Sequence, residues 1–337
     1  MIIQAPDAPK AQQLAQQLAR QLDPKDPLHP VYVQADRLAL AGIKELPAKS
    51  LALLQQAGAT ILDKRQTAVR ASRLLHPQNT VIKTPHSEIG GPDLTLMAGP
   101  DAIESPEHVL AMGQAAKAAG ATILRGGAFK PRTSPYSYQG SGEAGLKALR
   151  MAADQLEMDV VTEIMDSADL ALIDPYTDIF QVGTRNMQNF ALLKALGRQT
   201  KPVLLKRGMS ASIDDFLNAA EYILAGGNQA VILMERGIRT FDHHYTRNTF
   251  DVGAIPVLKR LTHLPILADS SHATGDRRLV TPVALAAVAA GAQGLMTELH
   301  DHPANALVDG AQAITPATYQ TLTRQAVAIH QVVEQDD

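Results

Sequence analysis

The chain has 337 residues, 45% of them hydrophobic and 19% charged, which suits two domains or one large barrel with an appendage and argues against extended disorder. Its formal charge of −3 gives no basic field to hold nucleic acid or an anionic membrane. With no cysteine it has no disulfide, no thiolate metal ligand and no cysteine nucleophile.

The N-terminus, MIIQAPDAPK, lacks the basic and apolar regions of a secretion signal. The longest apolar stretch, Val280 to Gly294, falls short of the roughly 20 residues a bilayer requires. A soluble cytoplasmic protein is expected. MIIQA opens the chain as a short apolar run, and Asp7 to Leu22 places Leu14, Ala15, Leu18 and Leu22 at helical spacing. VYVQA and LALAGI read as strands, Pro47 to Gln56 as a helix and ATILDKR as a closing strand. The order βαββαβ over residues 1–65 fits a small α+β, ferredoxin-like domain, either a packing appendage or a ligand-binding regulatory module. Residues 66–93 read as a connector broken by Pro77, Pro85 and Gly90-Gly91-Pro92, with TVIKT as one strand of a hairpin.

From residue 94 to 337 the pattern changes. Eight short apolar runs (LTLMA, ATILR, DVVTEI, DIFQVG, PVLLKR, AVILMER, PILAD and GLMTE) start near residues 94, 121, 159, 178, 202, 230, 265 and 294. Helix-forming stretches separate them. In the first, Ser105 can cap, Pro106 suits the first helical position and Gly120 can terminate. Another runs from Ser212 to Leu224 and stops at Gly226-Gly227. Eight such units match an α/β fold of the (β/α)8 TIM-barrel class. No glycine-rich dinucleotide fingerprint follows any run, which disfavours a doubly wound sheet.

Barrel active sites lie at the C-terminal ends of the strands. Each run here ends in polar or ionisable groups: Asp101, Arg125, Glu163, Arg185, Lys206-Arg207, Glu235-Arg236, Asp269 with His272, and Glu298 with His300. The cations Arg125, Lys130, Arg132, Arg185, Lys206 and Arg236 call for two phosphorylated groups, or a phosphate and a carboxylate. Pairing with Glu163, Glu235 and Asp269 is the structural alternative for any one of them. His272, Glu298 and Asp309, with Asp101 as a fourth candidate, suit a divalent cation such as Mn²⁺.

The segments GGAFKPRTSPYSYQG (126–140), GTRNMQNF (183–190), LLKRG (204–208), ERGIRTF (235–241), TRNT (246–249), SHATG (271–275) and ALVDGAQ (306–312) resemble the type Iβ 3-deoxy-7-phosphoheptulonate (DAHP) synthases. The resemblance implies condensation of phosphoenolpyruvate (PEP) with erythrose 4-phosphate, the first step of the shikimate route to aromatic amino acids. It also implies a metal cofactor and a homodimer or homotetramer. By the same resemblance, Arg125, Lys130, Arg185, Lys206 and Arg236 hold PEP, while Arg132, Thr133 and Ser134 receive erythrose 4-phosphate. Lys130, or a metal-bound water beside Glu163 or His272, would carry the proton. The KPRTS motif favours the four-carbon aldose over the arabinose phosphate of the related octulosonate synthases.

Two departures from the family pattern bear on chemistry. The family's AGPCS is AGPDA here, so Asp101 stands where a cysteine ligates the metal, and DPSH is DSSH at 269–272. Three readings follow: Asp101 ligates and shifts preference toward Mn²⁺ or Mg²⁺, the enzyme works without metal, or the chain is a degenerate paralogue that binds phosphorylated metabolites. A Schiff-base aldolase using Lys206 is a further alternative.

Overall fold

The structure, a computed structural model, describes residues 1–22, 30–132 and 134–333. It contains two compact units, residues 1–79 with 260–263, and residues 80–259 with 264–337. The first unit comprises β1 (Ile2–Gln4), α1 (Ala8–Gln21), β2 (Val31–Gln34), β3 (Arg37–Leu40), α2 (Ala48–Gln56) and β4 (Thr60–Asp63). Its sheet has the order β2-β3-β1-β4 and all its pairings are antiparallel. Asp7 caps α1 by accepting the Lys10 N–H, and Ala11, Leu14, Ala15 and Leu18 bury one stripe of the helix. That stripe packs on Ile3, Leu38 and Leu40. The unit runs beyond residue 65 to Asn79, because Val69 and Leu75 bury themselves against Ile2 and Ala39.

The second unit opens with a hairpin of β5 (Ile82–Lys83) and β6 (Glu88–Ile89). Ile82 and Ile89 join the interior core formed by Met97, Ile123, Val161, Ile179, Leu204, Ile232, Leu267 and Met296. Thr84 Oγ1 and the His86 N–H donate to Asp159, the first residue of a barrel strand, so the hairpin closes the N-terminal mouth. The expected connector therefore divides: its first part completes the small unit and its second part plugs the barrel.

The barrel strands are β7 (Thr95–Gly99), β8 (Ile123–Arg125), β9 (Asp159–Glu163), β10 (Ile179–Val182), β11 (Val203–Lys206), β12 (Val231–Glu235), β13 (Ile266–Asp269) and β14 (Gly294–Glu298). All eight pair in parallel and close as β10-β11-β12-β13-β14-β7-β8-β9. This is a (β/α)8 barrel, and each strand coincides with one of the eight apolar runs. The helices are α3 (Pro106–Ala118), α4 (Gly142–Leu156), α5 (Leu170–Ile173), α6 (Phe190–Leu196), α7 (Ile213–Ala225), α8 (Ala254–Leu261), α9 (Ser270–Thr274), α10 (Arg277–Ala289) and α11 (Pro316–Val333). Ser105 caps α3, and Ser212 forms a reciprocal capping box with Asp215 on α7. No helix among the described residues is long and apolar enough to cross a membrane.

Candidate active site

A cavity of about 450 Å³ opens at the C-terminal ends of the strands. Asp101, Arg125, Lys130, Arg132, Ser134, Glu163, Arg185, Lys206, Arg236, His272 and Asp309 all line it. Glu298 lies behind it, 2.9 Å from His272 Nε2. Thr133 lies outside the described residues.

The deepest part is an acid–imidazole cluster. Strands β7 and β14 pair with Glu298 opposite Gly99, which sets Asp101, just past the end of β7, beside Glu298. His272 is delivered by α9, a one-turn helix that follows β13 directly. Asp269 caps that helix through the His272 backbone N–H (3.0 Å) and accepts from His272 Nδ1 (2.7 Å) and Lys206 Nζ (2.6 Å). A carboxylate on Nδ1 fixes the ring and aims Nε2 at Glu298 and Asp101. Ligand atoms of Asp101, His272 and Glu298 all lie within 4.8 Å of one another.

Charge balance explains how acids survive burial there. Burial opposes the Asp101 carboxylate, yet Lys130 (2.5 Å), Arg125 (3.1 Å) and then His272 hold its pKa well below the usual range. Burial likewise opposes Asp269, and His272 and Lys206 overcome it. Glu298 goes the other way: burial pushes it up, His272 pulls it back, Asp101 repels it, and the net shift is upward. Burial pulls the His272 imidazole down, but Asp269 and Glu298 prevail and raise it. Glu298 Oε1 is buried, and its near neighbour is His272 Nε2 at 2.9 Å, with Arg125 Nη1 further off at 3.8 Å. Two carboxylate oxygens, from Asp101 and Glu298, and the His272 imidazole nitrogen converge there, a donor set that fits a divalent cation.

Asp309, the fourth expected ligand, stands on the same cavity beside an arginine. Arg247 holds its carboxylate with two bonds of 2.9 and 3.2 Å, and Gln312 bridges it to Glu298.

Around this centre stand the cations. Arg125, Lys130, Lys206 and Arg236 are buried, whereas Arg132 and Arg185 are exposed on the rim. Arg236 spends one amino group on the His272 carbonyl (3.2 Å), and its buried Nη1 has no partner. Gly127 makes room for Lys130: a Cβ there would lie 2.8 Å from both Lys130 Nζ and the Asp101 carbonyl oxygen. Arg207, adjacent to Lys206, is not part of the ring; it bonds Glu235 and Asp251 at 2.9 Å each. Arg239, Arg247 and Asn248 do line the cavity, and the sequence reading omitted them. The signal lay within ERGIRTF and TRNT, several residues beyond the strand end, where a rule that reads only strand termini does not look.

A closed barrel presenting buried cations and a candidate cation centre at one mouth defines an enzyme of anionic metabolites. Comparison with protein-family models matches residues 78–335 to the DAHP synthetase I family. A phospho-2-dehydro-3-deoxyheptonate aldolase of Thermotoga maritima is 48% identical over 254 residues, 75% of each chain. A solved structure of that activity from the same organism (DAHP synthase) superposes with TM-score 0.78 at 37% identity, covering 98% of this chain and 97% of the other. A 2-dehydro-3-deoxyphosphooctonate aldolase of Koribacter versatilis is 30% identical over 248 residues, 67% of this chain and 87% of its own. The chain belongs to the DAHP synthetase I family.

Proposed function

We propose that the chain condenses PEP with D-erythrose 4-phosphate to give 3-deoxy-7-phosphoheptulonate and inorganic phosphate. The observation that carries this reading is the convergence of buried Arg125, Lys130, Lys206 and Arg236 on one cavity beside Asp101, His272 and Glu298. Two anionic substrates repel each other, and fixed cations in a closed site offset that repulsion without solvent reorganisation. Arg236 Nη1 and the neighbouring cations are assigned to the PEP phosphate and carboxylate, and the rim residues Arg132 and Ser134 to the aldose phosphate. Holding C3 of PEP against the aldehyde carbon converts a bimolecular encounter into an oriented one. Carbon–carbon bond formation leaves C2 open to water, and cleavage of its C–O bond releases phosphate.

Asp101, His272 and Glu298, with Asp309 as the fourth expected ligand, are the residues assigned to hold a divalent cation, Mn²⁺ above all, which would supply Lewis acidity toward the aldehyde oxygen. Among the three proton carriers considered, His272 is engaged by Asp269 and Glu298, and Lys130 by Asp101. Glu163 has one long bond, 3.5 Å from Gln181 Nε2, and is assigned to accept the proton of the attacking water. Lys206 is paired with Asp269 rather than placed beside a second cation, which disfavours a Schiff base. A metal-independent form of the same reaction is the second reading, favoured by the neutralisation of Asp101 by Lys130 and Arg125.

The test is phosphate release from PEP with erythrose 4-phosphate and, separately, arabinose 5-phosphate, with borohydride as a trap. Release that needs the four-carbon aldose, with no trapped adduct, is expected. PEP binding without release would identify a degenerate paralogue, and a trapped adduct an aldolase. Chelated enzyme re-supplied with Mn²⁺, Zn²⁺ or Mg²⁺ separates the two metal readings: recovery with Mn²⁺ is expected, and full activity after chelation removes it. Residues 1–65 are proposed to carry feedback control by an aromatic amino acid or a later pathway intermediate, and assembly into a homodimer or homotetramer is read by light scattering.

A further inference from the structure

We propose that Glu104, His108 and His300 form a second divalent-cation site, separate from the Asp101–His272–Glu298 cluster and suited to Zn²⁺. The barrel register brings them together. Strands β7 and β14 are neighbours, so the loop leaving β7, which carries Glu104 and leads into His108 on the first turn of α3, meets His300 just past the end of β14. Ligand atoms of the three side chains lie within 4.8 Å of one another.

Their polar atoms are aimed inward and unsatisfied. The His300 side chain is 8% exposed, and its Nε2 has no hydrogen-bond partner. Both ring nitrogens of His108 are buried and equally without one. The two rings lie 4.4 Å apart, so both imidazoles border one small space. Glu104 Oε2 stands 3.5 Å from His300 Nε2. Tetrahedral ligands at zinc–nitrogen lengths of about 2.0–2.1 Å are separated by roughly 3.3 Å, so this edge is near the required span.

Supporting groups orient the set as metal sites require. Glu104 Oε1 accepts the Leu307 N–H at 2.8 Å, which leaves Oε2 for a ligand. Asp301 Oδ1 lies 3.1 Å from His300 Nδ1 and 3.3 Å from His108 Nε2. The His302 N–H reaches both Asp301 Oδ1 (2.8 Å) and His300 Nδ1 (2.9 Å). When Asp301 takes that bond, Nδ1 carries the ring proton toward Asp301 and Nε2 presents its lone pair to the cation. Two imidazoles and a carboxylate are a borderline donor set that prefers Zn²⁺ to Mg²⁺ or Ca²⁺. Leu307 stands two residues before Asp309, so an ion here would brace the loop that forms one wall of the substrate cavity.

The test uses the full chain, stripped of metal and loaded with Cu²⁺ for pulsed electron paramagnetic resonance, with Zn²⁺ affinity measured by calorimetry. Circular dichroism checks that every variant is folded. The Asp101–His272–Glu298 cluster contains one imidazole, so a signal from two coordinated imidazoles reports the second site. We expect that signal in the parent and in His272→Ala. We expect it to vanish in His108→Ala and His300→Ala, with Zn²⁺ binding at that site at least tenfold weaker. His108 is the less buried of the pair and serves if His300→Ala does not fold. Absence of the two-imidazole signal from the parent, or its persistence in the folded His108→Ala protein, overturns the proposal.

Discussion

Arg236 is buried to 6% exposure with one amino group committed to a backbone carbonyl and the other without any partner. A buried donor that the protein leaves unpaired is costly in isolation, and an anionic ligand relieves the cost. Replacing it with lysine keeps the charge and removes the planar fork. Hydrogen bonds to charged groups contribute about 1.5–3 kcal/mol, so Arg236→Lys is expected to lower kcat/KM for PEP by roughly 10- to 150-fold, read by steady-state kinetics. Asp101 makes a different kind of contribution. It compensates Lys130 and Arg125, both buried, so Asp101→Asn leaves two cations with one partner fewer. Breaking a buried ion pair costs about 3–5 kcal/mol, and we expect a clearly lower melting temperature together with weaker Mn²⁺ binding by calorimetry. An unchanged melting temperature would show that the Lys130–Asp101–Arg125 clasp does not hold the site together. At this scale the sequence identified cations and acids at strand ends, because a barrel must present strand termini to one mouth. It could not show that Arg247 bonds Asp309, since the two are 62 residues apart along the chain.

The strands were legible because parallel barrel strands are buried on both faces and read as continuous apolar runs, unlike the alternating runs of a half-exposed sheet. Helices with strong caps were equally plain, as Ser105 and Ser212 show. The one-turn helix α9 was not, because five residues carry no periodicity and its start signal is Asp269, which also reads as a strand end. The segment closing α8 holds another property that sequence hides. Burial, foremost, pulls His263 down to about 4 from 6.5, against a hydrogen bond to the Arg70 carbonyl (2.8 Å) and with help from His76 and Arg73. The folded protein keeps His263 neutral where the unfolded chain binds a proton. Its stabilising effect is complete above pH 6.5 and is lost as pH falls toward 4, by about 3 kcal/mol at most. His263→Gln is expected to flatten the fall in melting temperature between those two pH values, measured by calorimetry across the range.

For the whole molecule, the decisive fact is that the barrel closes with strands drawn entirely from residues 95–298, and its lower mouth is plugged by the hairpin at 82–89. Among the described residues, no barrel strand pairs with a strand from residues 1–79. A chain beginning at Thr80 is therefore expected to fold cooperatively. Deletion does remove a partner: within the first unit the Arg73 N–H donates to the Leu261 carbonyl at 2.9 Å, and Ser72 bridges Thr262. The shortened chain should consequently melt at a lower temperature while showing a single transition by calorimetry. Because every described residue assigned to the substrates lies beyond Thr80, its phosphate release from PEP with erythrose 4-phosphate should persist. If the first unit is the feedback module, inhibition by aromatic amino acids should disappear in the same protein. Retained inhibition at undiminished potency would assign control to the barrel and leave residues 1–79 with a packing role alone.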